Sequence, residues 1–357
     1  LFLINLKNTQ NLQPDQFEMD NEVKFKQIDL QNRLLNLFTD VPIRVKTFNS
    51  KDKSLKQTLA LLNHQRHFLL DENNYYHEDD HEIGAAEFLL HPKVQNKIKN
   101  ILLEGGPGQG KSTISQYICQ VHRAKLLTKS DDIDLLPKKI KSAPTRLPIK
   151  IDLRDIASWV ENKNPYEGVL SQEYFESIWK NSLESFIVGH IFYHSKLEEF
   201  TSNDFISICK LSPILFVFDG FDEIANISVR GEVIEFINKG ITRISANSKT
   251  IQVIITSRPA AFSDSVGFSI DRYPHFELTD ITPPTINNYV EKWIKSSNLN
   301  ARDAKELRKL IKDKLELPHL RDLTKSPMQL AIFISLLRTK GQSLPNKRTA
   351  LYDSYIE

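Results

Sequence analysis

From about Pro92 onward, short apolar runs rich in Ile and Val alternate with longer amphipathic stretches. The runs cover 98–104, 148–153, 214–218, 251–256 and 276–278. Runs this short and this apolar suit strands buried on both faces of a parallel sheet. Helical periodicity fills the gaps at 112–123, 172–190 and 230–241. Strand and helix in alternation predict a doubly wound α/β domain.

After Thr282 the strand pattern stops. Ile286, Tyr289, Val290, Trp293 and Ile294 follow i, i+3, i+4, i+7, i+8, one face of a helix. Leu307, Leu310 and Ile311 begin a second helix, and Met328 to Leu337 a third. The Pro283–Pro284 pair can start a helix but not continue one, so the boundary is drawn at 283. Residues 1–91 are rich in Asn and Gln with weak helical periodicity, which suggests a helical linker or the tail of an upstream module. The expected division is therefore 1–91, an α/β domain at 92–282, and a small helical domain at 283–357.

The composition narrows the class. The 357 residues are 40% hydrophobic and 26% charged, which excludes a mostly disordered or collagen-like chain. A net charge of +2 calls for neither nucleic acid nor an anionic membrane as partner. No apolar run reaches the roughly 18 residues of a membrane span, and no leader pattern opens the chain, so the expected address is the cytoplasm. Cys119 and Cys209 form no CxxC pair and are expected as buried apolar residues. Leu1 in first position, and an apolar stripe at Leu351, Tyr352, Tyr355 and Ile356, lead us to expect a fragment of a longer protein.

Candidate chemistry begins at 105–112, which read GGPGQGKS and fit GxxxxGK[ST] in full, with Gly105, Gly110, Lys111 and Ser112 at the fixed positions. Glycines let a backbone turn tightly and aim N–H groups at phosphate oxygens, and the helix start beyond adds partial positive charge. The residues expected around a nucleotide are Gly105, Gly106, Pro107, Gly108, Gln109, Gly110, Lys111, Ser112 and Thr113. Lys111 would reach the β- and γ-phosphates, and Ser112 would ligate Mg²⁺. The run ILFVFDGFDEI at 214–224 ends a buried strand on Asp219, which would hold Mg²⁺ through water. Asp222 or Glu223 could position an attacking water; the residues alone leave both open. Arg258, at the end of the 251–256 run, could stabilise the γ-phosphate.

Taken in order, GGPGQGKST (105–113), LFVFDGFDE (215–223) and VIITSRP (253–259) resemble the NACHT subgroup of STAND P-loop NTPases. The likeness extends to LPIKIDLRD (147–155), FELTDITPPTINNYVEKWI (276–294) and LTKSPMQLAIFI (323–334), and covers about 92–357. EGGPGQGKSTISQYICQVHR (104–123) is similar to bacterial members linked to antiviral defence. The resemblance implies an ATP/ADP switch that uses Mg²⁺: closed with ADP, open with ATP, and self-associating on opening. It also implies that Pro327 approaches the nucleotide, and that an effector and a sensor domain, neither recognisable here, flank this part. A motor-type AAA+-like remodelling ATPase and an ADP-locked scaffold without turnover are the alternatives.

Three lesser signals remain. HEDDH at 77–81 is a literal HExxH, but its neighbours Asn73, Asn74, Asp79 and Asp80 give no apolar helix face, so an acidic loop is expected. Thr128-Lys129-Ser130-Asp131 matches the guanine-reading TKxD but precedes the acidic strand, which favours ATP. The stretch 122–150 carries eight Lys or Arg against three Asp, net +5, and is expected to be a loop of solvated lysines.

Overall fold

The structure is a computed structural model, and it describes residues 34–47, 53, 56, 83–197, 199–259, 267–297 and 299–340. Six strands form one sheet in the order β1-β6-β2-β5-β4-β3. They are β1 (Ile43–Thr47), β2 (Asn100–Glu104), β3 (Leu147–Asp152), β4 (Ile214–Asp219), β5 (Ile251–Ser257) and β6 (His275–Leu278). All neighbours run parallel except β1, which pairs antiparallel with β6 through Ile43↔Leu278 and Val45↔Phe276.

Alternation along each strand divides the apolar residues between two cores, one on each face. Ile101, Leu103, Leu215, Val217, Ile254, Phe276 and Leu278 face one core. Leu102, Ile151, Phe216, Phe218, Val253 and Ile255 face the other. Every residue of β4 and β5 is buried, because these strands lie in the middle with helices over both faces. Full burial of a side chain such as Phe216 or Phe218 contributes about 1.5–3 kcal/mol.

The first face is covered by α1 (Lys111–Leu126), through Ile114, Tyr117, Ile118 and Val121. The second is covered by α2 (Leu153–Val160), α3 (Gln172–Ile178), α4 (Leu183–Ser195), α5 (Ser202–Leu211) and α6 (Ile227–Ala246). The helix expected over 172–190 is two helices. Ser182 caps the second by accepting from Ser185 N–H. The break is held by an exchange of indole bonds: Trp179 donates to Trp159 O and Trp159 donates to Lys180 O, each at 3.0 Å. Trp159 is buried and Trp179 half-buried, both indole N–H groups need acceptors, and a continuous helix over 172–190 would have engaged Lys180 O in its own backbone ladder.

The C-terminal part is helical: α7 (Pro283–Ser296), α8 (Ala301–Leu315), a short helix Pro318–Leu323, and α9 (Pro327–Lys340). Ile286, Val290, Trp293, Leu307, Ile311, Leu330 and Phe333 join the same core as α1. The helical region thus shares a core with the sheet.

Where 1–91 is described, it is not a plain helical linker or a separate tail, because 34–47 and 83–91 pack into the α/β domain. Residues Ile43–Thr47 are an edge strand of the sheet, and Leu34, Leu35, Leu37 and Phe38 are buried against α1 and α7. Alternation in a strand of five residues next to an unreadable segment carried too little signal to find. Asp40 pins the turn after Phe38, accepting from the N–H groups of Val41, Ala86 and Glu87. Burial outweighs those bonds and pushes its carboxyl up to about 6. The HExxH at 77–81 lies outside the described residues, as does the apolar stripe at 351–356. Cys119 and Cys209 are buried free thiols. Among the described residues no helix is long and apolar enough to cross a membrane.

The 122–150 stretch is solvated lysines only in part: Lys129, Lys138, Lys139 and Lys141 are exposed, but the others are built into the fold. Arg146 is 3% exposed and donates to Gln95 Oε1, Gln95 O and Thr250 Oγ1. Lys125 donates to Ile140 O and Ala143 O, Lys139 pairs with Glu87, and Lys150 lies inside the fold. The charge run is used to fasten the segment between α1 and β3.

Candidate nucleotide site

The site is built where β2, β5 and β4 end side by side. The ladder between β2 and β5 continues into the glycine loop, with Gly105 N–H donating to Ser257 O at 3.1 Å. Gly108 (φ +74°) and Gly110 (φ +89°) adopt the left-handed conformation that glycine takes at little cost. Gly110 is the residue before α1, and no side chain caps that helix, so its first-turn N–H groups face the loop. Gln109 Oε1 accepts from Gly106 N–H across the loop. Lys111 Nζ donates to Gly105 O at 2.8 Å and Gly106 O at 3.3 Å, which draws the amine over the loop. Ser112 and Thr113 stand exposed in the first turn of α1.

β5 stands between the loop strand and the acidic strand, so the chain leaves it at Arg258 between the two. Asp219 ends β4 at 6% exposure. Thr256 of β5 donates its hydroxyl to Asp219 Oδ1 and accepts Gly220 N–H at 2.9 Å. Gly220 (φ +79°) then turns the chain sharply, and a Cβ there would lie 3.1 Å from Glu223 Cδ. The turn Phe221–Glu223 that results is held by Arg230, which donates to Asp222 O and Ile224 O.

Each acidic group at this edge faces a cation from another element. Asp219 Oδ2 lies 3.2 Å from Lys150 Nζ, which also reaches Asp152 Oδ1 at 3.0 Å. Asp222 Oδ2 lies 2.8 Å from Arg258 Nε, and its Oδ1 accepts Arg258 N–H at 3.1 Å. Glu223 Oε2 lies 3.1 Å from Arg154 Nε. Burial opposes the charge on Lys150, but Asp219 and Asp152 outweigh it and hold the amine above the usual lysine range. Lys111 moves the other way: burial lowers its pKa, helped by Arg258 and opposed by Asp222, Asp219 and Glu223. The loop lysine is therefore within electrostatic reach of all three acidic groups and of Arg258.

The helical region reaches the same loop. Met328 N–H donates to Gly108 O at 3.3 Å. A Cβ at Gly108 would meet Met328 Cβ at 3.1 Å, and one at Gly110 would meet Pro327 Cγ at 3.8 Å. Pro327 thus sits against the loop at its αL residues.

Thr256, Lys150 and Arg154 do not stand out in the sequence. Thr256 reads as an ordinary strand residue, and only the strand order puts it beside Asp219. Lys150 and Arg154 belong to LPIKIDLRD, where alternation could have marked Lys150 as a polar residue within an apolar strand.

The residues present suit a small divalent cation with nucleotide phosphates. Ser112 and Asp219 offer a hydroxyl and a carboxylate oxygen, and Mg²⁺ takes one or two such ligands beside waters and phosphates. Among the described residues no group of three or more His, Cys, Asp or Glu is placed to hold a metal by itself.

No protein-family profile matches the chain, and no curated protein does. Among solved structures, the chain is similar to the Aeropyrum pernix ORC1 protein in complex with DNA, at 14% identity and a TM-score of 0.38, covering 76% of this chain and 62% of that one. It is similar also to AMPPCP-bound DnaA from Aquifex aeolicus, at 16% identity and a TM-score of 0.39, covering 76% of this chain and 66% of that one. The chain thus spans less than two thirds of each of these two proteins.

Proposed function

We propose that this chain is a Mg²⁺-dependent ATP-binding switch with slow hydrolysis, of the NACHT type that its three motifs resemble. The observation that carries the reading is the junction of Met328 N–H with Gly108 O. It ties the helical region to the loop that would cradle phosphate, so a change in what the loop holds is felt by α9 and the core it shares. The layered α/β fold with a glycine loop at a parallel strand end supports the nucleotide part of the proposal.

In this reading the loop N–H groups and Lys111 bind the phosphates, and Lys111 leaves its two carbonyl acceptors to do so. Bound Mg²⁺, held by Ser112 and Asp219, would neutralise phosphate charge. Thr256 fixes the carboxylate of Asp219. Arg258 stabilises charge that develops on the γ-phosphate. Glu223 takes the proton of the attacking water. It suits that role better than Asp222, because its ion pair with Arg154 is solvent-exposed on both sides, 47% and 63%, and such pairs hold only about 0–1 kcal/mol. Asp222 is gripped by both the side chain and the backbone of Arg258 and positions that arginine.

Self-association on opening, and an effector and a sensor beyond this part of the chain, follow from the resemblance. The defence context rests on the similarity of residues 104–123 alone. Calorimetry with ATP and ADP in Mg²⁺ tests the proposal. Binding that Lys111→Ala abolishes is the expected result, and no binding of either nucleotide by the wild-type chain ends the proposal. Hydrolysis stimulated severalfold by DNA or unfolded protein would favour a motor instead. Protein purified with stoichiometric ADP that never releases phosphate would favour a scaffold.

A further inference from the structure

Among the described residues, Lys150 is a largely enclosed cation of the site that the switch reading leaves without a task. Its strand neighbour Ile151 turns into the core of α2 to α6. Alternation turns Lys150 to the other face, toward the end of β4. Its side chain is 17% exposed, and that of Asp219 is 7%. The amine is shared between two carboxylates in register across β3 and β4: Asp152 Oδ1 at 3.0 Å and Asp219 Oδ2 at 3.2 Å. The other oxygen of Asp219 accepts the Thr256 hydroxyl. So the oxygen of Asp219 that is not engaged by the sheet is the one next to a tethered ammonium.

We propose that Lys150 regulates divalent-metal binding by sharing Asp219 with the metal. The inference rests on reading this pocket as a Mg²⁺–nucleotide site. An ammonium about 3 Å from a metal-binding carboxylate repels an arriving dication, and it neutralises the same carboxylate when no dication is bound. Asp152 supplies a second seat, so the amine can shift toward it as the metal takes Asp219. Two properties follow. Divalent affinity is held down by Lys150, and nucleotide can stay bound when metal is scarce, because the buried carboxylate keeps a counter-charge. A lysine that only compensated a buried acid would stabilise the fold in the same way, but its loss would not tighten metal binding.

The test uses the full chain and Mn²⁺ as probe, titrated by electron paramagnetic resonance of the free ion, without nucleotide and with ADP. Lys150→Met and Lys150→Gln are expected to bind Mn²⁺ about tenfold more tightly than wild type, the scale of one removed like-charge contact in a partly exposed site. Their thermal midpoints should rise on adding Mn²⁺ more than the wild-type midpoint does. Lys150→Arg should keep the wild-type affinity, and Asp219→Asn in the Lys150→Met background should lose the gain. Affinity within twofold of wild type, or weaker, in both neutral variants overturns the proposal. Variants that fold only with Mn²⁺ present support it. Variants that fold in neither condition count against it, since an ion sharing the site should substitute for the ammonium. Wild-type binding of ADP in the same titration separates the two readings. No ADP binding sinks the nucleotide pocket, whereas ADP binding with unchanged Mn²⁺ affinities sinks the role of Lys150 alone.

Discussion

Asp222 binds Arg258 twice, through Nε at 2.8 Å and through its backbone N–H at 3.1 Å. The arginine that leaves β5 is thereby aimed by the turn after β4. Removing either partner should therefore affect chemistry more than binding. Arg258→Ala is expected to keep ATP affinity within about threefold and to slow hydrolysis by about 10²-fold, the scale of one lost donor to developing charge. Asp222→Asn should give a smaller loss, and the double variant should fall short of the product of the two, as coupled residues do. Glu223→Gln should bind ATP normally and lose about 10²- to 10⁴-fold in rate. Single-turnover phosphate release with equilibrium nucleotide binding reads all four. A larger loss in Asp222→Asn than in Glu223→Gln would reverse the roles given to the two carboxylates.

Gly108 links the loop to the helical region, and its substitution should report that link. Alanine at φ +74° carries about 1–2 kcal/mol of backbone strain, and its Cβ would press on Met328 Cβ at 3.1 Å. Gly108→Ala is expected to weaken nucleotide binding about tenfold and to loosen α9 together with the loop. Hydrogen exchange of the 328–337 amides should quicken. Weakened binding with unchanged exchange in α9 would mean that the loop and the helix are not coupled.

Glu104 ends β2 one residue before the glycine loop and is 1% exposed. It accepts from Lys46 Nζ of β1 and lies 2.9 Å from His275 Nδ1 of β6. Burial raises its pKa, but the bonds to His275 and Lys46 outweigh that and hold the carboxyl below the usual range. Lys46→Met leaves a buried carboxylate with one partner, and such losses cost about 3–5 kcal/mol when the pair is deeply buried. Lys46 is 36% exposed, so about 1–3 kcal/mol is the expected loss, read by chemical denaturation. A change below about 0.5 kcal/mol would show that His275 suffices.

Much of this site was legible because its chemistry demands fixed local types. Glycines at Gly105, Gly108 and Gly110, a lysine after them and an acid at the end of an apolar run are constraints a chain cannot hide. The illegible part depends on which strands are neighbours. Lys150 and Thr256 reach Asp219 because β3 and β5 flank β4, and Glu104 meets Lys46 and His275 because β1 and β6 lie beyond β2. Sequence order puts Lys46 and Glu104 58 positions apart. The edge strand Ile43–Thr47 escapes the sequence for the same reason, since its place is set by pairing with Phe276 and Leu278 and not by its own pattern. The break at Trp179 was hidden because indole N–H bonding is a tertiary demand with no helical period.

His122 should set part of the acid sensitivity of the fold. It is 0% exposed in α1; its Nδ1 accepts Arg146 N–H at 3.3 Å, and its buried Nε2 has no hydrogen-bond partner among the described residues. Burial first, then Lys125 and Arg146, lower its pKa from 6.5 to about 3. The unfolded chain takes up this proton below 6.5 and the folded chain does not, so the unfolded state binds more protons in that window. Stability then falls as pH drops from 6.5 toward 3, by about 1.4 kcal/mol per pH unit for this group once the pH is well below 6.5. Asp40 works in the opposite sense: with its folded carboxyl at about 6, its contribution to stability grows as pH falls from 6 to 3.8 and is kept below that. Comparing His122→Asn with wild type cancels Asp40, because both chains carry it. Asparagine can still accept Arg146 N–H and does not titrate. The variant should lose stability at pH 7.5 from the space it leaves, yet its stability should decline less steeply between pH 6.5 and 4.5. Denaturant unfolding at several pH values reads the two slopes, and parallel slopes would show that the imidazole takes up its proton without unfolding the chain.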